Sequence, residues 1–310
     1  MTQHPTAEPL PVLLDTDIGT NIDDALALTY LLRQPHCRLV GITTTHGDTL
    51  ARAQLASALC IALGRNDMPI HRGAERPLRL EPTRPAVPQR SLLTDCAYKE
   101  DFEPDSAVDF LRDRIHAQPG QLTWICIGPL TNAAILFQHA PETARLLKQM
   151  VCMGGVYFSS PAGYGPIEWN MAADPEAAAR VLVAEVPRIR FIGLDVTTQC
   201  RFDAIRCRKL FQAADLPLLS CLAEHWSRLR DEILFHDPLA AAVAFAPDLC
   251  RYRRGRVRVP THPAPLAGRS HLATDDPSGR HQVAWDVMSE RFFAHFWEVI
   301  RQRPAPCREP

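Results

Sequence analysis

The sequence predicts an α/β fold: an open, mostly parallel, Rossmann-like sheet with helices on both faces, plus a helical subregion near residues 200–250. Three observations predict it. Short apolar or β-branched runs alternate with helix-like stretches from residue 12 to about residue 195. Residues 122–127 form a continuous apolar run, as expected of a strand buried on both faces. Val12-Leu13-Leu14 leads into Asp15-Thr16-Asp17-Ile18-Gly19-Thr20-Asn21-Ile22-Asp23-Asp24 and then Ala25-Leu26-Ala27-Leu28, which reads as strand, loop and helix start. In such sheets ligands bind beyond the carboxyl ends of the strands, so this stretch puts its acids where a site would be built.

The elements follow in order. A strand over 12–14 precedes a helix over about 23–34. A β-branched strand over 38–45 precedes a helix over 50–63, which stops at Gly64. A short strand covers 69–71. A helix over 104–118 starts with proline and acid. The strand over 122–127 turns at Gly128-Pro129-Leu130 into another helix. A strand over 150–153 ends in Gly154-Gly155. Asp174-Pro175-Glu176 opens an alanine-rich helix through 185, with an acid cap and proline in the first turn. A strand over 189–194 ends at Asp195. A helix from Asp237 through 245 precedes strand-like segments at 256–259, 271–274 and 282–285. An amphipathic helix closes the chain over 288–300, before a proline-rich tail. Two stretches break the rhythm. Residues 74–101 hold four prolines, and long loops of this kind are usually functional. Residues 157–167, rich in Gly, Pro, Ser and Tyr, follow a strand end and suit a binding loop. No repeat or linker is visible, so one domain is expected, with its core over 11–300 and a frayed tail over 303–310.

Composition narrows the function classes. The chain has 34 basic and 35 acidic residues. Without a basic excess, no nucleic-acid partner is expected. No stretch approaches the ~18–20 apolar residues of a membrane helix, so no membrane partner is expected. The first ten residues lack the pattern of a secretion signal, which makes a cytoplasmic location the expectation. Ten cysteines without a C-x-x-C pair read as free thiols.

Four carboxylates within ten residues repel one another. A hard cation relieves that repulsion, and carboxylate oxygens suit calcium or magnesium. The plain alternative is a solvated acidic turn at a helix N-terminus. Further polar groups at strand ends are His46 and Asp48, Glu168 and Asn170, and Asp195. His236-Asp237 opens a helix.

With these residues in hand, the chain resembles the inosine–uridine nucleoside hydrolase family. The resemblance rests on Asp15-Thr16-Asp17-Ile18-Gly19 with Asp23-Asp24-Ala25, Gly41-Ile42-Thr43-Thr44, and Gly73-Ala74-Glu75-Arg76-Pro77-Leu78. It continues through Gly128-Pro129-Leu130-Thr131-Asn132, Gly154-Gly155, and Ile167-Glu168-Trp169-Asn170-Met171 with Asp174-Pro175-Glu176-Ala177. Leu194-Asp195-Val196-Thr197 and His236-Asp237-Pro238-Leu239-Ala240 complete it, in family order across residues 11 to 300. The resemblance implies a calcium-dependent enzyme that cleaves the N-glycosidic bond of ribonucleosides with water, through an oxocarbenium-like transition state. It implies calcium held by Asp17, Asp24, Asp237 and the carbonyl of Ile127, with Asp15 in the same cluster. It makes Asp17 the general base and His236 the group that protonates the departing base. It assigns ribose binding to Asp23, Asp48, Glu168 and Asn170. By analogy it implies a homodimer or homotetramer and a place in purine or pyrimidine salvage.

The chain also departs from the family. Its acidic stretch is two residues longer than the commonest pattern. Asp48 stands where many members carry asparagine. No asparagine occurs between Asn132 and Asn170 to serve the 5′ hydroxyl, which leaves Tyr157 or Tyr164 for that role. Asp195 orders the site or caps a strand end, Arg76 anchors the long loop, and Trp169 packs. Two rival readings stay open. One is a non-catalytic ligand-binding protein on the same scaffold, motivated by Asp48 and the absent asparagine. The other is a haloacid dehalogenase-type phosphatase, motivated by Leu13-Leu14-Asp15-Thr16-Asp17 and opposed by the lack of a well-placed lysine.

Overall fold

A computed structural model describes residues 8–276 and 279–302. The expected tail over 303–310 lies outside the described residues. The first half of the chain alternates strand and helix. The strand β1 (Leu10–Thr16) leads to α1 (Asp23–Arg33), β2 (Cys37–Thr44), α2 (Thr49–Ala62) and β3 (Ile70–Arg72). After the long loop come α3 (Ala107–Ala117), β4 (Thr123–Cys126), α4 (Thr131–His139), β5 (Gln149–Met153), α5 (Trp169–Ala173), α6 (Pro175–Val183) and β6 (Ile189–Ile192). The remainder comprises α7 (Leu194–Thr197), β7 (Arg201–Asp203), α8 (Ala204–Ala213), α9 (Pro217–Ser227), β8 (Glu232–Leu234) and α10 (His236–Ala242). Last come β9 (Cys250–Arg258), β10 (His271–Ala273), β11 (His281–Val287) and α11 (Ser289–Arg301).

Among the described residues nine strands form one sheet, in the order β10-β9-β11-β6-β5-β4-β1-β2-β3. The run from β11 to β3 is parallel throughout. Only β9 opposes its neighbours, β11 and β10. Alternation along each strand divides the core in two, because successive side chains point to opposite faces. Val12 and Leu14 face one core with Ile125, Ile127, Val151 and Met153, under α1, α2, α10 and α11. Leu13 faces the other with Trp124, Cys126, Met150 and Cys152, under α3, α4 and α6. Burial on both faces explains why β4 reads as an unbroken apolar run.

Some boundaries differ from expectation. The subregion over 200–250 holds α8, α9 and α10, but also an antiparallel ribbon of β7 and β8. Phe202 on that ribbon packs against Phe235, Phe293 and Trp297. Tertiary packing of one aromatic therefore overrides a local pattern too short to announce a strand. The segment expected as a strand over 256–259 is the end of a strand that starts at Cys250, paired with β11 over residues 250–255 and with β10 over 256–258. The strand expected to run to residue 194 stops at Ile192, and Leu194 begins a helical turn.

Two features of the fold place the later chemistry. Asp48 caps α2 by accepting from the Ala51 amide at 2.9 Å, the usual role of an N-cap aspartate. On α11, Phe292, Phe296 and Trp297 ring Phe235 at centroid separations of 5.1–6.1 Å. Phe235 directly precedes α10, so this cluster anchors the helix start that carries His236 and Asp237.

Candidate active site

The carboxyl ends of β1, β4 and β5 open into a cavity of about 260 Å³. Asp17, Asp23, Asp24, Ile127, Glu168, Asn170, His236 and Asp237 all line it. Eight of the ten residues expected from the sequence thus converge, from segments far apart in the chain. A larger cavity of about 970 Å³, between the loop around Phe158 and the end of β9, has no carboxylate in its lining. The carboxylates and the His236 imidazole gather in the smaller one.

Oxygens of Asp23, Asp24 and Asp237 lie within 4.8 Å of one another, and all three residues are buried. The Thr16 hydroxyl donates to Asp24 Oδ1 at 2.6 Å and so aims one oxygen. Asp17 sits beside Gly128: a β-carbon there would lie 2.9 Å from Asp17 Oδ1, so glycine is needed for the close approach. Arg52, buried within α2, donates through Nε to the His46 carbonyl at 2.6 Å. Its Nη1 donates to the Asp17 carbonyl and, at 2.9 Å, to that of Ile18. It thereby holds the acidic loop from behind. Sequence reading missed it, although a charged residue in an otherwise apolar helix was the available signal.

Glu168 caps α5, accepting from the amides of Asn170 at 2.7 Å, Gly155 at 3.0 Å and Met171 at 3.1 Å. Asn170 Nδ2 donates to the carbonyl of Ile127 at 2.9 Å and to that of Met153 at 3.2 Å. His236 Nδ1 and the Thr197 hydroxyl are 2.7 Å apart, which fixes the ring and leaves Nε2 unengaged by that contact.

Two expected residues stand elsewhere. Asp15 is wholly buried beneath the cavity, bound by Asn132 Nδ2 at 2.7 Å and by the Thr43 hydroxyl. It braces the strand ends of β1 and β2 and does not join the three-acid cluster: its Oδ1 is taken up by Thr43 and Asn132 within the sheet, whereas Asp17 lies past the end of β1 and lines the cavity. Asp48 is exposed, caps α2 and does not line the cavity. Of the two tyrosines considered for the 5′ end, Tyr164 lines the cavity and Tyr157 is enclosed against Gly155. Asp195 accepts from the amides of Tyr157, Phe158 and Ser159, so it orders that loop. Trp169, expected only to pack, lines the cavity, edge-on to His46.

Burial dominates the electrostatics. It pushes Asp23 up to about 7 and Asp24 and Asp237 well above the usual carboxylate range, with mutual repulsion adding to it. Asp17 is raised by burial, against the opposing pull of Arg52 and His46. Glu168 is raised by burial despite its three amide donors. Burial lowers His236 to about 4. Packed carboxylates that repel one another are what a cation would relieve. The donors are all oxygen: Asp17, Asp24, Asp237, Asp23 and the Ile127 carbonyl, which keeps a second lone pair beside its bond to Asn170. That set fits a hard divalent ion.

The chain is similar to known proteins over nearly its whole length. The family model described as inosine-uridine preferring nucleoside hydrolase matches residues 12–294. The chain is 32% identical to a non-specific ribonucleoside hydrolase, RihC, of Salmonella paratyphi A, over 90% of this chain and 94% of that one. It is 29% identical to a probable uridine nucleosidase 2 of Oryza sativa subsp. japonica, over 96% and 94% respectively. The solved structure of a purine-preferring ribonucleoside hydrolase from Gardnerella vaginalis superposes with a TM-score of 0.83 at 27% identity, covering 94% of this chain and 98% of that one. With eight of its expected residues gathered at one cavity and the family pattern spanning nearly its whole length, the chain belongs to the inosine-uridine preferring nucleoside hydrolase family.

Proposed function

We propose that this protein hydrolyses the N-glycosidic bond of ribonucleosides to free base and ribose, with a calcium ion in the acidic cluster. The observation that carries the reading is the convergence of Asp17, Asp24, Asp237 and the Ile127 carbonyl with Glu168, Asn170 and His236 around one cavity. Calcium, when bound there, supplies Lewis acidity that eases deprotonation of a water and orients the ribose diol.

The chain's own residues do the rest. Asp23 accepts from a ribose hydroxyl. Glu168 and Asn170 hold the sugar, with the Glu168 carboxyl fixed by main-chain donors. The C1′–N bond breaks and its electron pair leaves with the base. The surrounding carboxylates stabilise the positive charge that develops on the ribose. Water adds to C1′ and gives its proton to Asp17. His236, oriented by Thr197, delivers the proton to the base from Nε2: burial keeps the free imidazole neutral near pH 7, and its imidazolium forms as the negative charge growing on the base offsets that burial. A positioned acid or base of this kind contributes ~10²–10⁴-fold.

The same reading includes a single catalytic unit, a homodimer or homotetramer, and work on free nucleosides in cytoplasmic salvage. Among the described residues no helix is long and apolar enough to cross a membrane. The relatives named above range from uridine nucleosidases to purine-preferring enzymes, so base preference must come from residues outside the shared motifs. The rival phosphatase reading loses support because Asp15 is wholly buried inside the sheet. The binding-only reading loses one of its motives because Asp48 caps a helix.

The test is incubation with a panel of nucleosides, with and without a calcium chelator, reading free base and ribose. Turnover that the chelator removes is the expected result. No turnover of any N-riboside in saturating calcium would leave a binding protein.

A further inference from the structure

We infer that Arg84 is a leaving-group residue: its guanidinium donates a hydrogen bond to a carbonyl oxygen of the departing base. The inference rests on the hydrolase reading above. Arg84 is the one guanidinium or ammonium group among the residues that line the catalytic cavity, where the other charged groups are acids. It forms no ion pair among the described residues, and its guanidinium lies 5.7 Å from the centre of the Trp169 ring. Trp169 stands between Glu168 and Asn170, so that contact aims the cation at the space above the sugar-binding residues.

The segment around Arg84 is pinned to the site. His46 Nε2 contacts the Thr83 carbonyl. The Asp48 amide donates to the Pro85 carbonyl at 3.1 Å, and the Thr20 hydroxyl donates to the Ala86 carbonyl at 3.4 Å. The Gln89 amide donates to the Gly19 carbonyl at 3.1 Å. Residues 83–89 are therefore stapled over the acidic loop. Arg84 itself has a φ of +53°, a left-handed conformation that a non-glycine side chain holds only when its surroundings impose it.

Charge decides what this cation can touch. As the C1′–N bond breaks, the ribose becomes positive, so a guanidinium against the sugar would oppose the reaction. The base takes the electron pair, and the negative charge spreads onto its ring nitrogens and carbonyl oxygens. A guanidinium at the cavity mouth lowers the barrier only at the base, where it donates to an oxygen whose charge is growing. The base is finally protonated on nitrogen by His236. Arg84 donates a hydrogen bond and transfers no proton.

The experiment compares the wild type with Arg84→Gln and Arg84→Lys, in calcium, on uridine and inosine, on adenosine, and on p-nitrophenyl riboside. Uracil and hypoxanthine carry a carbonyl, adenine does not, and p-nitrophenolate leaves unaided. Arg84→Gln is expected to lower kcat/KM on uridine and inosine by about 10²-fold, the usual effect of removing a donor to developing charge. Adenosine and the aryl riboside should change by no more than a few-fold. Arg84→Lys should recover only part of the loss. Arg84 is exposed, and matching thermal melts would establish that the variants fold. Equal losses on all four substrates would mark a structural role or a contact to the ribose 5′ oxygen, and would overturn the inference. So would no loss on any. A wild type that turns over none of the four would overturn the hydrolase reading itself.

Discussion

The Asn170 amide bridges two strand ends: it donates to the Ile127 carbonyl at 2.9 Å and to that of Met153 at 3.2 Å. One side chain thus sets the spacing of β4 and β5 where they meet the cavity, and aims the Ile127 carbonyl assigned to the metal. Asn170→Ala strands two buried acceptors. Unsatisfied buried acceptors cost about 1–3 kcal/mol, so the variant should lose stability by roughly that much in chemical denaturation without substrate. An unchanged midpoint would mean that Asn170 serves the substrate alone.

Asp17 and Asp237 reach the cavity from opposite ends of the chain. Asp17→Asn or Asp237→Ala is expected to remove nearly all turnover, by ~10²–10⁴-fold or more, even in saturating calcium. The check is steady-state hydrolysis of the best nucleoside, with calcium affinity measured in parallel by calorimetry. Activity within a few-fold of wild type for both variants would sink the metal assignment.

Burial raises Asp23 to about 7 in the metal-free protein. A carboxyl whose folded value exceeds its unfolded value stabilises the fold at low pH, and that contribution disappears as pH rises through the folded value. Metal-free protein should therefore lose stability between about pH 4 and pH 8. Calcium requires the ionised form, so its stabilising effect should be larger at pH 8 than at pH 5. Thermal melts at both values, with and without calcium, read this directly. A calcium shift independent of pH would contradict it.

His236→Ala should penalise substrates with poor leaving groups far more than activated aryl ribosides, since the latter need no proton to depart. The ratio of kcat/KM on inosine to that on p-nitrophenyl riboside is the quantity to compare. Equal losses on both would assign His236 to positioning, through its contact with Thr197.

Much of the fold and site was legible in the chain itself. The period of the apolar residues, the buried run of β4 and the acid-proline start of α6 announced the alternating architecture, because each expresses a local preference of backbone and side chain. Asp17, Asp23 and Asp24, with Glu168, Asn170, His236 and Asp237, were readable as candidates from their spacing and family likeness. Other roles were not readable, because they depend on which way a side chain points once the sheet closes. Asp15 and Asp17 differ by two positions in the sequence, yet one braces the sheet and the other lines the cavity. Asp48, expected as a ribose ligand, caps α2 and does not line the cavity. Arg52 and Arg84 carried no motif at all. Their partners lie many residues away, and only the packing of α2 and the stapled loop over 83–89 brings them to the site. The sequence by itself determined the elements, their order and the stock of oxygen donors, because these follow from local pattern. Tertiary structure alone decided which acids share a cavity, which cation faces it and which carbonyl is aimed, because those follow from contacts between residues far apart in the chain.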